Sequence, residues 1–487
     1  MNADDFSESA RYAIIKPARN FRFPNSSIET GYFFMKNFKS FIHPDLTGGP
    51  ILPALISFAF PLIVSLAFQQ LYNAVDAIIV GHYLAEDSLA AIGSSAVLFE
   101  LLVGFGNGFG NGLSIVAARA FGSGNRDSLK KVVAMSLMLT ALVTVIVTAV
   151  SRFCLMPALD VLGTPAEIKE ESFSYINTVT MFAVVMFAFN LLSGLLRATG
   201  DSFSPLVFLV IASILNIALD LLFITKLDMG VRGAAVATVV AQGVSAILCA
   251  VFIATKARIL IPAARHFSAE RKTVSELLGQ GISMALMGSL VSSGTVVLQS
   301  AINSFGTMVI AGHLASRKIF SIVNIPLISL GTASSTFVSQ NLGAGKPDRI
   351  RAGIKLSITM AVIWAVFLIA TMKFTVRPLL SFISGSANET LLEYGTNYLY
   401  FCIPFFLILG GLFVSRNSLQ GLGSKILPLI SSVIELLGKI LFTALIVPKL
   451  GTWGIIICEP LIWCVMFAQL IFVLLRHPAM REGKIRK

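Results

Sequence analysis

Two short polar patterns stand in stretches of the chain that are otherwise apolar. In the first, Gln69, Tyr72, Asn73 and Asp76 are spaced i, i+3, i+4 and i+7, so a helix carries all four on one face. In the second, Asn216 and Asp220 lie one helical turn apart and share a face in the same way. A carboxylate inside an apolar helix is expensive to bury, which makes it a functional candidate by default. The bland alternative for Asp76 is a structural carboxylate satisfied by neighbouring helices; the functional reading is preferred. Two carboxylates with amide and hydroxyl oxygens around them suit the reversible binding of a proton or of a hard cation such as Na⁺. Held close in a low dielectric the two repel one another, and a cation taken up between them relieves that repulsion. Asn190, Tyr175 and Thr238 sit at mid-depth in neighbouring apolar stretches. Taken singly, each reads as an interhelical hydrogen bond, and only a cluster would raise them to ligands.

The elements that must position these residues follow from composition. The chain has 487 residues, of which 55% are hydrophobic and 13% charged, with a mean hydropathy of +0.83. A soluble domain carries roughly 25% charged residues, so most of this surface does not face water. Soluble enzymes, disordered proteins and disulfide scaffolds are excluded. A bilayer core of ~30 Å needs about 20 apolar residues per helix. Twelve such runs occur, at approximately 52–80, 90–116, 130–151, 172–196, 205–225, 232–255, 277–302, 307–337, 352–373, 391–415, 426–447 and 453–475. Their length, and the lack of strict alternation, favour helices over a barrel. The expectation is an all-α polytopic membrane protein. Pro61 removes a backbone hydrogen bond inside the first run and predicts a bend there.

The formal charge is +12. With a cytoplasmic N-terminus, most of the 37 Lys and Arg fall on the cytoplasmic side, Arg416 and Lys425 among them. The opposite face has only Arg152, Lys169, Lys226, Arg232, Lys373, Arg377 and Lys449. This asymmetry places both termini in the cytoplasm of a multi-pass protein of the plasma (inner) membrane. It also accounts for the positive charge with the lipid bilayer as partner and no nucleic acid. Residues 1–45 lack the apolar core of a signal peptide and read as a cytoplasmic tail.

The chain repeats itself. Leu196-Arg197-Ala-Thr-Gly200-Asp-Ser-Phe-Ser-Pro205 recurs as Leu419-Gln420-Gly-Leu-Gly423-Ser-Lys-Ile-Leu-Pro428. Ala120-Phe-Gly122-Ser-Gly124-Asn125 recurs as Asn341-Leu-Gly343-Ala-Gly345-Lys346, and Gly230/Gly233 is echoed by Gly451/Gly454. Matching segments follow equivalent helices on the same side of the membrane, so the chain is two six-helix halves in parallel orientation. The organisation expected is a tail at 1–50, a lobe at 51–255, a cytoplasmic linker at 256–275, a second lobe at 276–475 and a basic tail at 476–487. Two such bundles imply a central cleft, and a cleft open alternately to each side is what transport physically requires. The same arrangement makes a functional monomer the expected unit.

Other polar features read as structural. Glu435 and Lys439 are i, i+4 with the acid first, an internal ion pair. Arg317 and Lys318 either hold a carboxylate across the halves or snorkel to an interface, and spacing does not choose. Gly104, Gly108 and Gly112 repeat every four residues, a face for close helix packing and not a phosphate loop. Cys154, Cys249, Cys402, Cys458 and Cys464 have no metal or disulfide spacing and read as small hydrophobes. No zinc motif, catalytic triad or nucleotide site is present, so neither an enzyme nor a cofactor is expected.

Phe60-Pro61, Gln70-Leu71-Tyr72-Asn73-Ala-Val-Asp76, Val80-Gly81, Gly122-Ser-Gly124-Asn125, Arg197-Ala-Thr-Gly200-Asp201 with Pro205, and Asn216 with Asp220 together resemble the multidrug and toxic compound extrusion (MATE) family. The similarity runs over about residues 50–475. It implies two pseudo-symmetric six-helix lobes around a V-shaped central cleft, alternating access, and export of small amphipathic organic cations driven by H⁺ or Na⁺. In relatives a first-helix Asp matching Asp76 is central to coupling. The Asn/Asp pair matches Asn216 and Asp220; Tyr175, Asn190 and Thr238 match further family residues, and Pro61 matches a helix proline tied to bending. The NorM-like branch carries a Glu in the seventh helix, whereas residues 281–302 contain no acid. That departure points to the DinF-like branch and to a coupling site in the N-terminal lobe.

The expectation is therefore an ion-coupled antiporter. Asp76, Asn216, Asp220, Asn190 and Thr238 hold the coupling cation, with Asp76, Asn216, Asp220 and Thr238 as direct ligands if it is Na⁺. Tyr175, Gln69, Tyr72 and Asn73 line the substrate cavity, and Pro61 is the hinge. The alternative is a lipid-linked oligosaccharide or lipid flippase of the same wider superfamily, which would favour a strongly cationic cavity for pyrophosphate. Asp76, Glu100 and Asp220, with no mid-span cation in their lobe, weigh against it; Arg317 and Lys318 weigh for it.

Overall fold

Residues 44–84, 86–268 and 270–481 are described by a computed structural model, and among them the chain is helical with no strand. The helices of the N-terminal half are α1 (Ile51–Tyr83), α2 (Glu86–Gly122), α3 (Arg126–Val161), α4 (Ala166–Met181), α5 (Ala183–Ala198), α6 (Phe203–Thr225) and α7 (Gly230–Thr255). Those of the C-terminal half are α8 (Arg271–Ile302), α9 (Thr307–Gly343), α10 (Pro347–Ser384), α11 (Glu389–Cys402), α12 (Phe406–Gly421), α13 (Ile426–Leu441), α14 (Val447–Leu450) and α15 (Thr452–Arg476). Among the described residues eleven spans are long and apolar enough to cross a membrane, and the pair α4 and α5, bent by 47°, makes a twelfth when taken as one span. The expected tails fall largely outside the described residues.

Several helices outrun their apolar stretches. Hydropathy marks only the part that sees lipid, while polar caps carry the helix further into the interface. α3 begins at Arg126, where the Asn125 side chain accepts from the Ser128 N–H at 3.0 Å. α1 is continuous through Pro61, whose carbonyl accepts from the Ser65 hydroxyl at 2.8 Å. The interrupted spans are others: α4 passes to α5 at Phe182, and α11 passes to α12 through a 3₁₀ turn at Ile403–Phe405. Pro404 lacks the N–H that would continue the helix.

The repeat is written into the backbone. Gly124 and Gly345 have φ of 72° and 66°, Gly200 and Gly423 95° and 90°, Gly230 and Gly451 57° and 59°. Left-handed turns at equivalent places explain why glycine recurs there. The aspartate after Gly200 is a cap: Asp201 Oδ1 accepts from the Phe203 and Ser204 N–H groups and Oδ2 from the Ser204 hydroxyl.

The apolar core does not divide at the linker. Leu55, Phe58 and Ala59 from the first half of α1 join the core of the C-terminal half with Phe337 and Ile354. Leu277 and Ala285 from the first half of α8 join the core of the N-terminal half with Phe109 and Leu113. Each half thus lends the beginning of its first helix to the other. The glycine face of α2 lies on α8: a Cβ on Gly112 would stand 2.5 Å from Gln280 O, and one on Gly288 2.9 Å from Gly104 O. The packing role expected of Gly104, Gly108 and Gly112 holds, and its partner is the other half. Nearer the end where basic residues gather, α2 crosses α9. A Cβ on Gly122 would strike the Gln340 backbone, and one on Gly343 the Arg119 backbone. Ser339 Oγ donates to Ile115 O at 2.7 Å, Gln340 Nε2 to Ala198 O at 2.8 Å, and Arg119 pairs with Glu276. The halves are closed against each other at the basic end. Cys249, Cys402 and Cys458 are buried and all five cysteines are free.

Candidate functional site

Beyond this closure each half holds a cavity. The one in the N-terminal half encloses about 530 Å³. Its wall takes Gln69, Tyr72, Asn73 and Asp76 from α1, Glu100 from α2, Asn190 from α5, Asn216 from α6 and Thr238 from α7. The i, i+3, i+4, i+7 face of α1 therefore turns inward as a unit. Asp220 lies one turn beyond Asn216, fully buried behind the wall and within reach of Asp76. Tyr175 is also behind the wall, its ring tilted on Phe99 at 6.1 Å, near enough to feel Tyr72, Asp76 and Asp220 electrostatically. Among the described residues no Lys or Arg lines this cavity.

The carboxylates are short of donors. Asp76 Oδ1, both carboxylate oxygens of Asp220, and both polar atoms of Asn216 are buried with no hydrogen-bond partner among the described residues. Asp76 and Asp220 are close enough to share a hydrogen bond, yet two ionised carboxylates have no proton to make it. Buried polar atoms are nearly always satisfied, and buried charge is tolerated only when paired. A proton between Asp76 and Asp220 answers that requirement, as does a monovalent hard cation held by their oxygens with Asn216 Oδ1 and Thr238. The donor set is all oxygen, which fits Na⁺ and not a soft transition metal. No group of three His, Cys, Asp or Glu that could hold a metal ion occurs among the described residues.

The cavity of the C-terminal half encloses about 440 Å³ and has a different character. Arg317 Nη1 lies 2.8 Å from Glu459 Oε2, and Lys439 Nζ lies 3.1 Å from both Glu459 Oε1 and Glu435 Oε1. The ion pair read from the spacing of Glu435 and Lys439 is present, as one link of a larger network. Arg317 pairs with Glu459 in its own half and its charge also reaches Glu100 of the other half, while Lys318 is exposed and takes no part in the wall. One assignment is corrected: Arg416 does not stand on the basic face. α12 runs five residues past it to Gly421, which buries Arg416 to 8% exposure in the C-terminal cavity, 3.8 Å from Glu435. Hydropathy assigns its charge to a loop that begins only after the helix.

Lys439 is 1% exposed and bridges both acids. Lys439→Met should lower unfolding stability by about 3–5 kcal/mol, because it strands buried charge. Thermal unfolding in detergent measures this, and adding Glu435→Gln to the same protein should restore part of the loss.

Spacing on α1 found the N-terminal site, but not Asn107, Gln242 or Ser292, which also line it. Asn107 and Gln242 are polar residues in apolar runs, the same signal as Asn190. In the C-terminal network spacing signals the Glu435–Lys439 link, and the rest is signalled only by the number of charges inside the spans.

Known proteins compare as follows. The family model described as MatE matches residues 61–222 and 283–445, once in each half. The chain is 27% identical over 389 residues to the "Probable multidrug resistance protein YoeA" of Bacillus subtilis (strain 168), covering 78% of this chain and 83% of the relative. It is 27% identical over 421 residues to the "Probable multidrug resistance protein YpnP" of the same organism, covering 84% and 92%. Among solved structures, the "Outward-facing conformation of a multidrug resistance MATE family transporter of the MOP superfamily" shares the fold with a TM-score of 0.81. Its identity is 23%, over 91% of this chain and 98% of that one.

Proposed function

The chain belongs to the MatE family, whose members are transporters and not enzymes, and from that premise we propose that it is a secondary antiporter exporting amphipathic organic cations in exchange for H⁺ or Na⁺. The observation that carries this reading is the neighbouring pair Asp76 and Asp220, with Asp76 Oδ1 and both Asp220 oxygens buried without a donor, beside a cavity that no Lys or Arg among the described residues lines.

In the cycle, closure at the basic end leaves the cavity facing the side opposite the cytoplasm. The coupling ion enters from there and sits between Asp76 and Asp220; for Na⁺, Asn216 and Thr238 complete the shell, with Asn190 and Tyr175 close by. Neutralising the carboxylates removes the attraction that holds a cationic solute against Gln69, Tyr72 and Asn73, and the solute leaves. The halves then part at the basic end, the ion is released to the cytoplasm, and the recovered negative charge draws in the next solute. Bending of α1 at Pro61 accompanies the ion's arrival. The lack of an acid over residues 281–302 supports the DinF-like arrangement, in which coupling resides in the N-terminal half. A pyrophosphate flippase is disfavoured: no Lys or Arg among the described residues lines the N-terminal cavity, and in the other Glu459 and Glu435 engage Arg317 and Lys439, which leaves Arg416 alone to meet a group of several negative charges.

The test is transport. Ethidium loaded into proteoliposomes should leave when an inward H⁺ or Na⁺ gradient is imposed, and stay without one. Retention under both gradients, by protein shown to be folded, would overturn the proposal.

A further inference from the structure

The C-terminal cavity holds charge that the ion-coupled cycle does not use. Three cations, Arg317, Arg416 and Lys439, meet two acids, Glu435 and Glu459. Glu459 is fully engaged, by Arg317 at 2.8 Å, Lys439 at 3.1 Å and the Tyr398 hydroxyl at 3.2 Å. Glu435 takes Lys439 at 3.1 Å and reaches Arg416 only at 3.8 Å, beyond hydrogen-bond distance. Arg416 is the least engaged of the three cations, ion-paired with Glu435 without a hydrogen bond between them. It is 8% exposed, lines the cavity, and neither its Nε nor its Nη2 has a hydrogen-bond partner among the described residues.

A guanidinium buried to that degree with idle donors is costly. Those donors stand in a planar fork that matches a carboxylate or a phosphate. The same cavity has an aromatic pair in its wall: Phe320 stacks on Trp463 with ring centroids 5.7 Å apart, and Met287 and Met466 add adaptable apolar surface. Gly104 and Ser292 line both cavities. A solute held at Arg416 therefore lies next to the cleft between the halves and not in an isolated pocket.

We infer that the C-terminal cavity is a binding site for an organic anion, an aromatic or apolar body bearing one carboxylate or phosphate whose charge is met by Arg416. The site is separate from the ion-coupling pair, and its occupancy needs no gradient, so antiport and anion binding can fail independently.

The experiment uses the full chain in phosphatidylcholine nanodiscs and two probes with the same ring system, 1-pyrenebutyrate and 1-pyrenemethylammonium, followed by fluorescence anisotropy. Pyrenebutyrate should bind, and Arg416→Gln should weaken it about tenfold or more, the usual worth of a charged hydrogen bond. Glu435→Gln, which removes a competing acid and keeps the Lys439–Glu459 contact, should tighten it. The opposite signs separate ligand binding from support of the fold, and the second variant stays informative if the first does not fold. Pyrenemethylammonium should not be weakened by Arg416→Gln. Equal pyrenebutyrate affinity in Arg416→Gln and the parent, or weakening by Glu435→Gln, would overturn the assignment. Displacement of pyrenebutyrate by phosphatidylglycerol added to the discs would bear the assignment out with a lipid phosphate as the anion's source, and retention would bear it out with a free organic anion.

Discussion

Asp76→Asn is expected to reduce gradient-driven ethidium efflux to the level of liposomes without protein, while the variant still folds. The substitution keeps the side-chain shape and a carbonyl oxygen, so packing on α1 changes little. It removes one of the two charges that make the site need a cation. Asn also supplies the donor that the pair lacks, so Asp220 gains a neutral hydrogen-bond partner that takes the ion's place. A buried carboxylate relieved of an unpaired neighbour is not destabilised, and thermal unfolding should match or exceed that of the parent. Efflux lost with unfolding unchanged assigns Asp76 to coupling. Undiminished gradient-driven efflux would remove the mechanism.

The second large effect belongs to the closure between halves. At Gly122 and Gly343 the backbones of α2 and α9 touch without intervening side chains. A leucine at either position meets main chain, which cannot swing aside as a flexible side chain does. Overpacking costs about 1–3 kcal/mol, and a backbone contact that cannot relax lies at the upper end, enough to cut the closed population by roughly a hundredfold. Gly122→Leu should therefore abolish efflux by denying the transporter one of its two end states. Ser339 is fully buried in the closed arrangement, its hydroxyl on Ile115 O. A Ser339→Cys reporter should be protected from maleimide in the parent and labelled rapidly when Gly122→Leu is added. Protection retained in both proteins would show that the crossing tolerates a side chain and that closure does not depend on it.

These two sites differ in how far the chain announces them. The α1 face was legible because a helix with four polar residues at helical spacing in an apolar run has one physical reading, a surface hidden from lipid. The repeat was legible because left-handed turns need glycine at the same place twice. Gly104, Gly108 and Gly112 were recognisable as a packing face, but a small-residue stripe does not name its partner. That the partner is α8 of the other half follows only from tertiary structure. Arg416 was misplaced for a related reason: hydropathy ends a span where the first charge appears, whereas the helix continues as long as caps and neighbours satisfy it. The ligand cluster lay between. Asn216 and Asp220 share a face by spacing alone, but that this face meets Asp76 is a property of how α6 packs on α1.

The most direct test of the central claim counts ions at equilibrium, with no membrane gradient to complicate it. Ethidium is added to purified protein in weakly buffered detergent, and the release of H⁺, or of ²²Na⁺ from protein preloaded with it, is recorded. If solute and coupling ion compete for the charge of Asp76 and Asp220, binding of ethidium should expel the ion from the parent and expel none from Asp76→Asn. Ethidium that binds the parent without releasing either ion, or that releases as much from Asp76→Asn, would contradict the account.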